Sequence, residues 1–420
     1  MEPGTAEPNK PRKRLIVCCD GTWKSFKDPR ISNIEKIARA ITTWDGETPQ
    51  LVHYCNGVGT GATLSDRIVG GAFGHGLNGA LVDSYRFLVL NYEPGDEIFV
   101  FGFSRGAYTA RSLVGMIGKV GLLTADALAS PDRPDENLLE QALSLYQESR
   151  SARSAAQQEA WRAQRDRFKD GTTHGDPAPR IRFVGVFDTV GAMGVPGVTR
   201  HRYKFLDVTL GDSVDVARQA LAIDERRLTF DPCVWTRDGN TRTDLQQVWF
   251  EGVHSDIGGG LKRPGPSELT LAWMVDEARQ VGLAFDFDRL PTLPAPDCAD
   301  PRYEPNSSMN PVYQAINVIR LCVRVLDPRK RIVRHRRQSR LLELRSDGAT
   351  PLYIARPAYE RWCGQATDTD RKRAKNVTWW VDGLIGRDEV ERARIVDIPP
   401  LCAPVTAPEP ERVTEPVAVP

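Results

Sequence analysis

The residues best suited to chemistry lie in the stretch FVFGFSRGAYTAR, Phe99 to Arg111. An apolar, strand-like run ends at Gly102-Phe103-Ser104-Arg105-Gly106, and a helical pattern follows. A serine hydroxyl is a weak nucleophile until a base takes its proton. Glycines two residues to either side suit a sharp turn, because a nucleophile there sits on strained backbone that side chains at those positions would crowd. At the start of a helix, Ser104 would also set the Arg105 backbone N–H toward a developing oxyanion, with the helix dipole behind it. The alternative is an ordinary N-cap serine, which leaves the flanking pair Gly102 and Gly106 without a reason.

Such a serine needs a base and a group to orient that base. Of six histidines, only His254 follows a long apolar strand and opens a glycine-rich loop downstream of the serine. His335 lies in an arginine-rich run, His174 in a polar loop, His53 inside a strand, His75 before a helix and His201 between two arginines. Asp188 ends the run RFVGVFD just before a turn. A carboxylate at the end of a buried strand stays ionised only if it is hydrogen-bonded or paired. Asp256, two residues beyond His254, is the rival acid, or else a support for the loop backbone. Asp20 ends the segment CCD before Gly21 and Thr22. It reads as the organiser of an oxyanion loop through the Gly21 and Thr22 backbone, as a metal ligand, or as a plain turn-forming Asp-Gly.

These residues need a frame. Strand-like runs at RLIVCCDGTW, LVHYCNGVGTG, EIFVFGF, RIRFVGVFDTVGA and LQQVWFEGVHSDIGGG alternate with helical patterns. In NIEKIARAITTW, Ile34, Ile37, Ala38 and Ile41 fall at helical spacing with Ser32 or Asn33 as N-cap. In LNGALVDSYRFLVLNY, Leu77, Leu81, Tyr85 and Leu88 share one face, and after His254 so do Leu269, Ala272, Trp273, Val275 and Ala278. Strands spaced by single helices predict an α/β fold with a mostly parallel sheet and helices on both faces. Functional groups in such sheets gather beyond the carboxyl ends of the strands, where Asp20, Asn56, Ser104, Asp188 and His254 would each stand. The polar, helical segment 126–180 interrupts the rhythm and reads as an insertion, either a solvated hairpin or a lid. The expected organisation is a disordered N-terminus (1–13), an α/β domain (14–280), a less regular part packed on it (281–402) and a disordered proline-rich tail (403–420).

Composition narrows the function classes. The 420 residues are 26% charged and 40% apolar with a net charge of +1, so no global field draws the chain to nucleic acid or membrane. The longest apolar runs fall far short of the ~20 residues that span a bilayer. Lys10 to Arg14 followed by Leu15 to Cys19 is too short for a signal peptide. This predicts a chain that begins in the cytoplasm and, if exported, leaves by a route that reads no N-terminal signal. Eight cysteines show no C-x-x-C pair and no zinc spacing, and no cofactor or metal is expected. The run from Arg320 to Arg340 is strongly basic. It reads as a solvated face or as a patch for anionic headgroups at ~1 kcal/mol per charge. It lacks the aromatic interleaving of a nucleic-acid site.

Taken together, CCDGTW, YEPGDEIFVFGFSRGAYTAR, FVGVFDTVGA and VWFEGVHSDIGGG…LAWM resemble the catalytic domain of type VI secretion lipase effectors, over roughly residues 13–280. The resemblance implies an α/β-hydrolase fold and a Ser–Asp–His triad that cleaves ester bonds in phospholipids. It places the nucleophile on Ser104 and the base on His254, with Asp188 the preferred acid, in the chain order of α/β-hydrolases. It implies a lipid or other ester substrate met at a membrane surface, and export through type VI secretion. A secretion-machinery or immunity partner does not follow from the residues themselves.

Three other readings remain. Gly57 to Ala62 spells G-x-G-x-x-A, a dinucleotide fingerprint, but the strand and acid expected about 20 residues on are replaced by a helical pattern around Asp83. Asp20, Asp188, His254 and Asp256 could hold a divalent ion for phosphoester hydrolysis. A non-catalytic interaction protein on a hydrolase scaffold is the third.

Overall fold

The structure, a computed structural model, describes residues 13–21, 30–56, 72–130, 137–149, 154–175, 178–190, 210–227, 230, 232–235, 242–291, 301–308, 314, 353–363 and 395–401. Thr22, the Gly57–Ala62 stretch, His201, His335, the Arg320–Arg340 run and both chain ends lie outside them, as does the His75 side chain.

The continuous apolar runs form strands because both of their faces are covered. Strand β1 (Arg14–Cys19) is buried at every residue. In order along the chain follow α1 (Asn33–Ala40), β2 (Trp44–Asp45), β3 (Thr48–Cys55), α2 (Ala72–Asn91), β4 (Glu97–Phe103) and α3 (Arg105–Val120). Next come α4 (Ala125–Ala129), α5 (Leu138–Glu148), α6 (Ala155–Lys169), β5 (Ile181–Phe187), β6 (Val214–Ala222) and β7 (Asp244–Phe250). The described elements end with α7 (His254–Gly258), α8 (Gly265–Gln280), β8 (Tyr353–Ala355), α9 (Arg356–Cys363) and β9 (Ile395–Val396). Among the described residues the strands form one sheet in the order β2-β3-β1-β4-β5-β6-β7-β8-β9. Only the β2–β3 pair is antiparallel.

The two faces bury separate cores. In β4, Ile98 and Val100 point into one with β1 residues Leu15 and Val17 and with α2, α3, α5 and α6. Phe99, Phe101 and Phe103 point into the other, with Ile34 and Ile37 of α1 and Trp273 and Met274 of α8. That alternation is the period-two pleat of a strand. Each fully buried side chain of this size contributes about 1.5–3 kcal/mol. The fold is therefore the α/β arrangement expected, with helices on both faces. The 126–180 insertion supplies α5 and α6, which are joined by a bond from the Trp161 indole to the Leu145 carbonyl, 2.9 Å. Tyr146 of α5 lies against Gly115 of α3, some ten residues or about 15 Å of helix from Arg105.

Strand β6 is the element that reading the pattern overlooks. Its sequence, VDVARQALA, breaks an apolar run with Arg218 and Gln219, both buried. Each is satisfied at a distance. Arg218 pairs with Glu277 of α8 and Asp244 of β7, both at 2.6 Å, and Gln219 donates to the Cys233 carbonyl, 2.9 Å. Likewise β8 and β9, from the less regular C-terminal part, extend the same sheet beyond β7.

The topology sets where a site can form. From β1 the chain crosses outward to β3, then returns past β1 to β4 and continues toward β7. In an open parallel sheet such a reversal is the usual binding place, here beyond the carboxyl ends of β1 and β4. The strand ends are level there: Cys19 pairs with Gly102, Phe103 with Phe187, Phe187 with Ala220 and Ala222 with Phe250.

Candidate active site

The β4–α3 turn brings Ser104 to this edge at φ 58°, ψ −117°. A non-glycine residue held there costs about 1–3 kcal/mol, and the surroundings enforce it. The Ser104 N–H donates to the Phe187 carbonyl, 3.0 Å, which continues the ladder one step past the strand. The chain doubles back so tightly that a Cβ on Gly102 would lie 2.6 Å from the Ala107 Cα and the Gly106 carbonyl. A Cβ on Gly106 would lie 2.1 Å from the Cys19 carbonyl and 2.5 Å from that of Asp20. Both glycines thus permit backbone to meet backbone, Gly106 against the end of β1. Ser104 stands at the N-cap position, but its hydroxyl caps nothing. It lies 2.8 Å from the His254 Nε2.

Asp188 follows β5 and also has positive φ, 39°. Its N–H donates to the Ala220 carbonyl, 2.7 Å, and its Oδ1 accepts the Ala222 N–H, 3.0 Å, so β6 holds it at both ends. The other oxygen lies 2.5 Å from the His254 Nδ1. Because a carboxylate accepts, Nδ1 carries the ring proton and Nε2 is left to accept from Ser104. Asp188, His254 and Ser104 are all buried.

The imidazole is bracketed by Phe103 and Phe230, each with its ring centroid 4.8 Å away. Burial moves the His254 pKa below the ordinary histidine value, against the opposing pull of Asp188; the nearby Arg227 adds to the fall and Glu225 offsets it. The ring is therefore neutral, and able to act as a base, at neutral pH.

Asp256 lies elsewhere in the loop. Its Oδ2 accepts the N–H groups of Val253, 3.0 Å, and Asn306, 2.9 Å, while Oδ1 accepts from the Asn306 amide, 2.6 Å. These bonds tie the start of α7 to the 301–308 segment. Asp20 is equally committed. Its carboxylate accepts from the Gly21 N–H, the Ser32 hydroxyl and the Tyr54 hydroxyl, each at 2.6 Å. The Gly21 N–H is thus turned to its own neighbour Asp20. Gly21 itself lies beside the nucleophile, where a Cβ would stand 3.5 Å from that of Ser104. Among the described residues, no three of His, Cys, Asp and Glu converge as a metal site.

Several supporting residues escape the sequence reading. Glu225, just past β6, accepts the His254 N–H, 3.1 Å, and bonds the Arg227 guanidinium at 2.8 and 2.9 Å. Arg227 stacks over Phe230 at 3.7 Å, which closes a chain of contacts back to the imidazole. The Asn33 amide, buried at the start of α1, donates to the carbonyls of Ile257, 3.0 Å, and Ser267, 2.8 Å, joining α1 to the histidine loop. The signal for Glu225 is its place after β6, a strand whose apolar pattern Arg218 and Gln219 break.

A solved structure of an uncharacterized protein from Pseudomonas aeruginosa is 14% identical, with a TM-score of 0.43, over 90% of this chain and 63% of that one. The uncharacterized protein YEL023C of Saccharomyces cerevisiae is 29% identical over 237 residues, 53% of this chain but only 33% of the yeast protein. The chain thus spans about a third of the length of that relative. The family model for the type VI secretion (T6SS) phospholipase effector Tle1-like catalytic domain matches residues 13–277, from the first residue of the described fold to within α8. The strand ends carrying Asp20, Ser104, Asp188 and His254 all fall inside that match, and this chain belongs to the Tle1-like phospholipase effector catalytic domain family.

Proposed function

We propose that this protein is a serine hydrolase that cleaves carboxylic esters of phospholipids in the manner of a phospholipase A. The observation that carries the reading is the continuous relay from the Ser104 hydroxyl to His254 at 2.8 Å and from His254 to Asp188 at 2.5 Å, with the serine on a positive-φ turn. Ser104 Oγ attacks the ester carbonyl while His254 Nε2 takes its proton. Asp188 keeps the Nδ1–H tautomer and stabilises the imidazolium. The Arg105 N–H, first in α3, donates to the oxyanion, and a donor from the Gly21-Thr22 loop supplies the second hydrogen bond. His254 returns the proton to the leaving alcohol, then activates the water that releases the fatty acid. Delivery by type VI secretion is part of the same reading, which the family supports.

The test uses a fluorophosphonate probe and vesicles of mixed bacterial phospholipids. The parent protein should label on Ser104 and release fatty acid with a lysophospholipid as co-product. Ser104→Ala should do neither, and undiminished turnover in that variant overturns the proposal.

A further inference from the structure

The face of the sheet under α2 holds a second group of reactive side chains. By the period of the strand, His53 and Cys55 of β3 point to the same side. Cys19 of β1 is the register partner of Cys55 and shares that side. Cys55 Sγ lies 3.0 Å from the His53 Nε2 and 3.2 Å from the Ser84 hydroxyl of α2. Cys19 Sγ lies 4.0 Å from the same Ser84 hydroxyl, and His53 is fixed by stacking on Phe87, centroids 4.9 Å apart. Cys55 is partly exposed, whereas Cys19 is buried.

We propose that Cys55 is a second nucleophilic site, a reactive thiol that takes hydroperoxides and other small soft electrophiles, with Cys19 as its resolving partner. Two polar groups lie on one sulfur, the His53 Nε2 and the Ser84 hydroxyl, with the Cys19 thiol at the paired position of the next strand. Ser84 otherwise donates to the Ala80 carbonyl, 2.8 Å, so its hydroxyl rotates to the sulfur when that sulfur is charged. The neighbouring Cys19 thiol and the His53 contact hold the Cys55 thiol well below the usual range despite burial. The same contact raises His53, which Asp83 of α2 reinforces, so thiolate and imidazolium favour each other. Cys19, through its Cys55 neighbour and burial, and Cys18, through burial and the nearby Asp20, move the opposite way, and Cys19 keeps its proton.

The chemistry balances. The Cys55 thiolate attacks one peroxide oxygen, the O–O bond breaks, and hydroxide leaves to give Cys55–SOH. The Cys19 sulfur then attacks the Cys55 sulfur, and its proton leaves with the departing hydroxyl as water, to leave a disulfide. Neighbouring strands lie about 4.8 Å apart, within the Cα range a disulfide spans. The bond would form one residue before Asp20, and the Asp20 N–H already donates to the Cys55 carbonyl, 3.0 Å.

Iodoacetamide labelling mapped by peptide mass spectrometry, from about pH 5 to 9, tests the thiol. Cys55 should be the first cysteine modified, with a midpoint well below the ~8.5 of a free thiol, and His53→Gln should move it toward that value. If that variant does not fold, the profile of the native protein against the urea-unfolded protein makes the same comparison. Hydrogen peroxide should then yield a Cys19–Cys55 disulfide, and Cys19→Ser should instead leave a sulfenic acid on Cys55 that dimedone traps. Labelling of Cys55 no faster than Cys233 at pH 6, or a Cys55 untouched by peroxide, overturns the proposal. Ser104→Ala removes the ester chemistry and should leave Cys55 reactivity intact, so this inference and the hydrolase reading fail separately.

Discussion

Ser104 and His254 meet at 2.8 Å, yet they are held there by different forces. The serine side rests on backbone against backbone: β4, α3 and the end of β1 approach so closely that only hydrogen atoms fit on Gly102 and Gly106. The histidine side rests on charged and polar side chains. Glu225 holds the His254 N–H, Asp256 and Asn306 hold the turn beside it, and Asp188 holds the ring. The nucleophile side should therefore respond to volume and hardly to pH. The base side should tolerate volume better and respond to charge.

Breaking each side in turn tests that contrast. The largest effect should come from Ser104→Ala, which removes the nucleophile and should cost on the order of 10⁶ in turnover. Its melting temperature should stay near that of the parent, because the hydroxyl caps no helix. Next, Asp188→Asn should cost on the order of 10⁴ in kcat by favouring the wrong tautomer. Asp256→Asn should instead cost about 1–2 kcal/mol in a urea titration through weakened bonds to Val253 and Asn306. A larger loss of kcat in Asp256→Asn than in Asp188→Asn would reverse the assignment of the acid.

Gly106→Ala should lower stability by about 1–3 kcal/mol, since the new methyl meets two carbonyl oxygens that cannot rotate away. The turnover that remains should keep the parent pH profile. Glu225→Gln should do the reverse. It leaves the Arg227 charge unbalanced beside the imidazole, so the His254 pKa falls further and the acid limb of kcat/KM moves to lower pH. An unmoved acid limb would detach Glu225 from the base.

The smallest and subtlest test is the parent pH profile itself. Neutral His254 is the active form, so activity is present above its pKa and lost as pH falls through it. Because burial lowers that pKa, the midpoint of the acid limb of kcat/KM should lie below the ~6.5 of a free histidine.

Much of this frame was legible because local patterns carried it. The G-x-S-x-G spacing, the doubly buried runs of β1, β4 and β5, and the α1 N-cap at Ser32, whose hydroxyl accepts the Glu35 N–H at 3.1 Å, each depend on residues within a turn or two. Strand β6 was not legible, because Arg218 and Gln219 look like loop residues until Glu277, Asp244 and the Cys233 carbonyl come to meet them. With β6 unread, Glu225 and the hold of β6 on Asp188 were hidden as well.

The amino-acid sequence by itself determined the sharp turn at Ser104 and the places of Asp188 and His254 after apolar strands, because covalent spacing and side-chain period are properties of neighbours along the chain. Only the tertiary structure decided which carboxylate lies on the imidazole, where Asp20 spends its hydrogen bonds, and that Cys19, His53 and Cys55 converge under α2. Apart from the neighbours Asp20–Gly21 and His53–Cys55, those pairings join residues 12 to 66 positions apart, and only the order and register of the sheet bring them together.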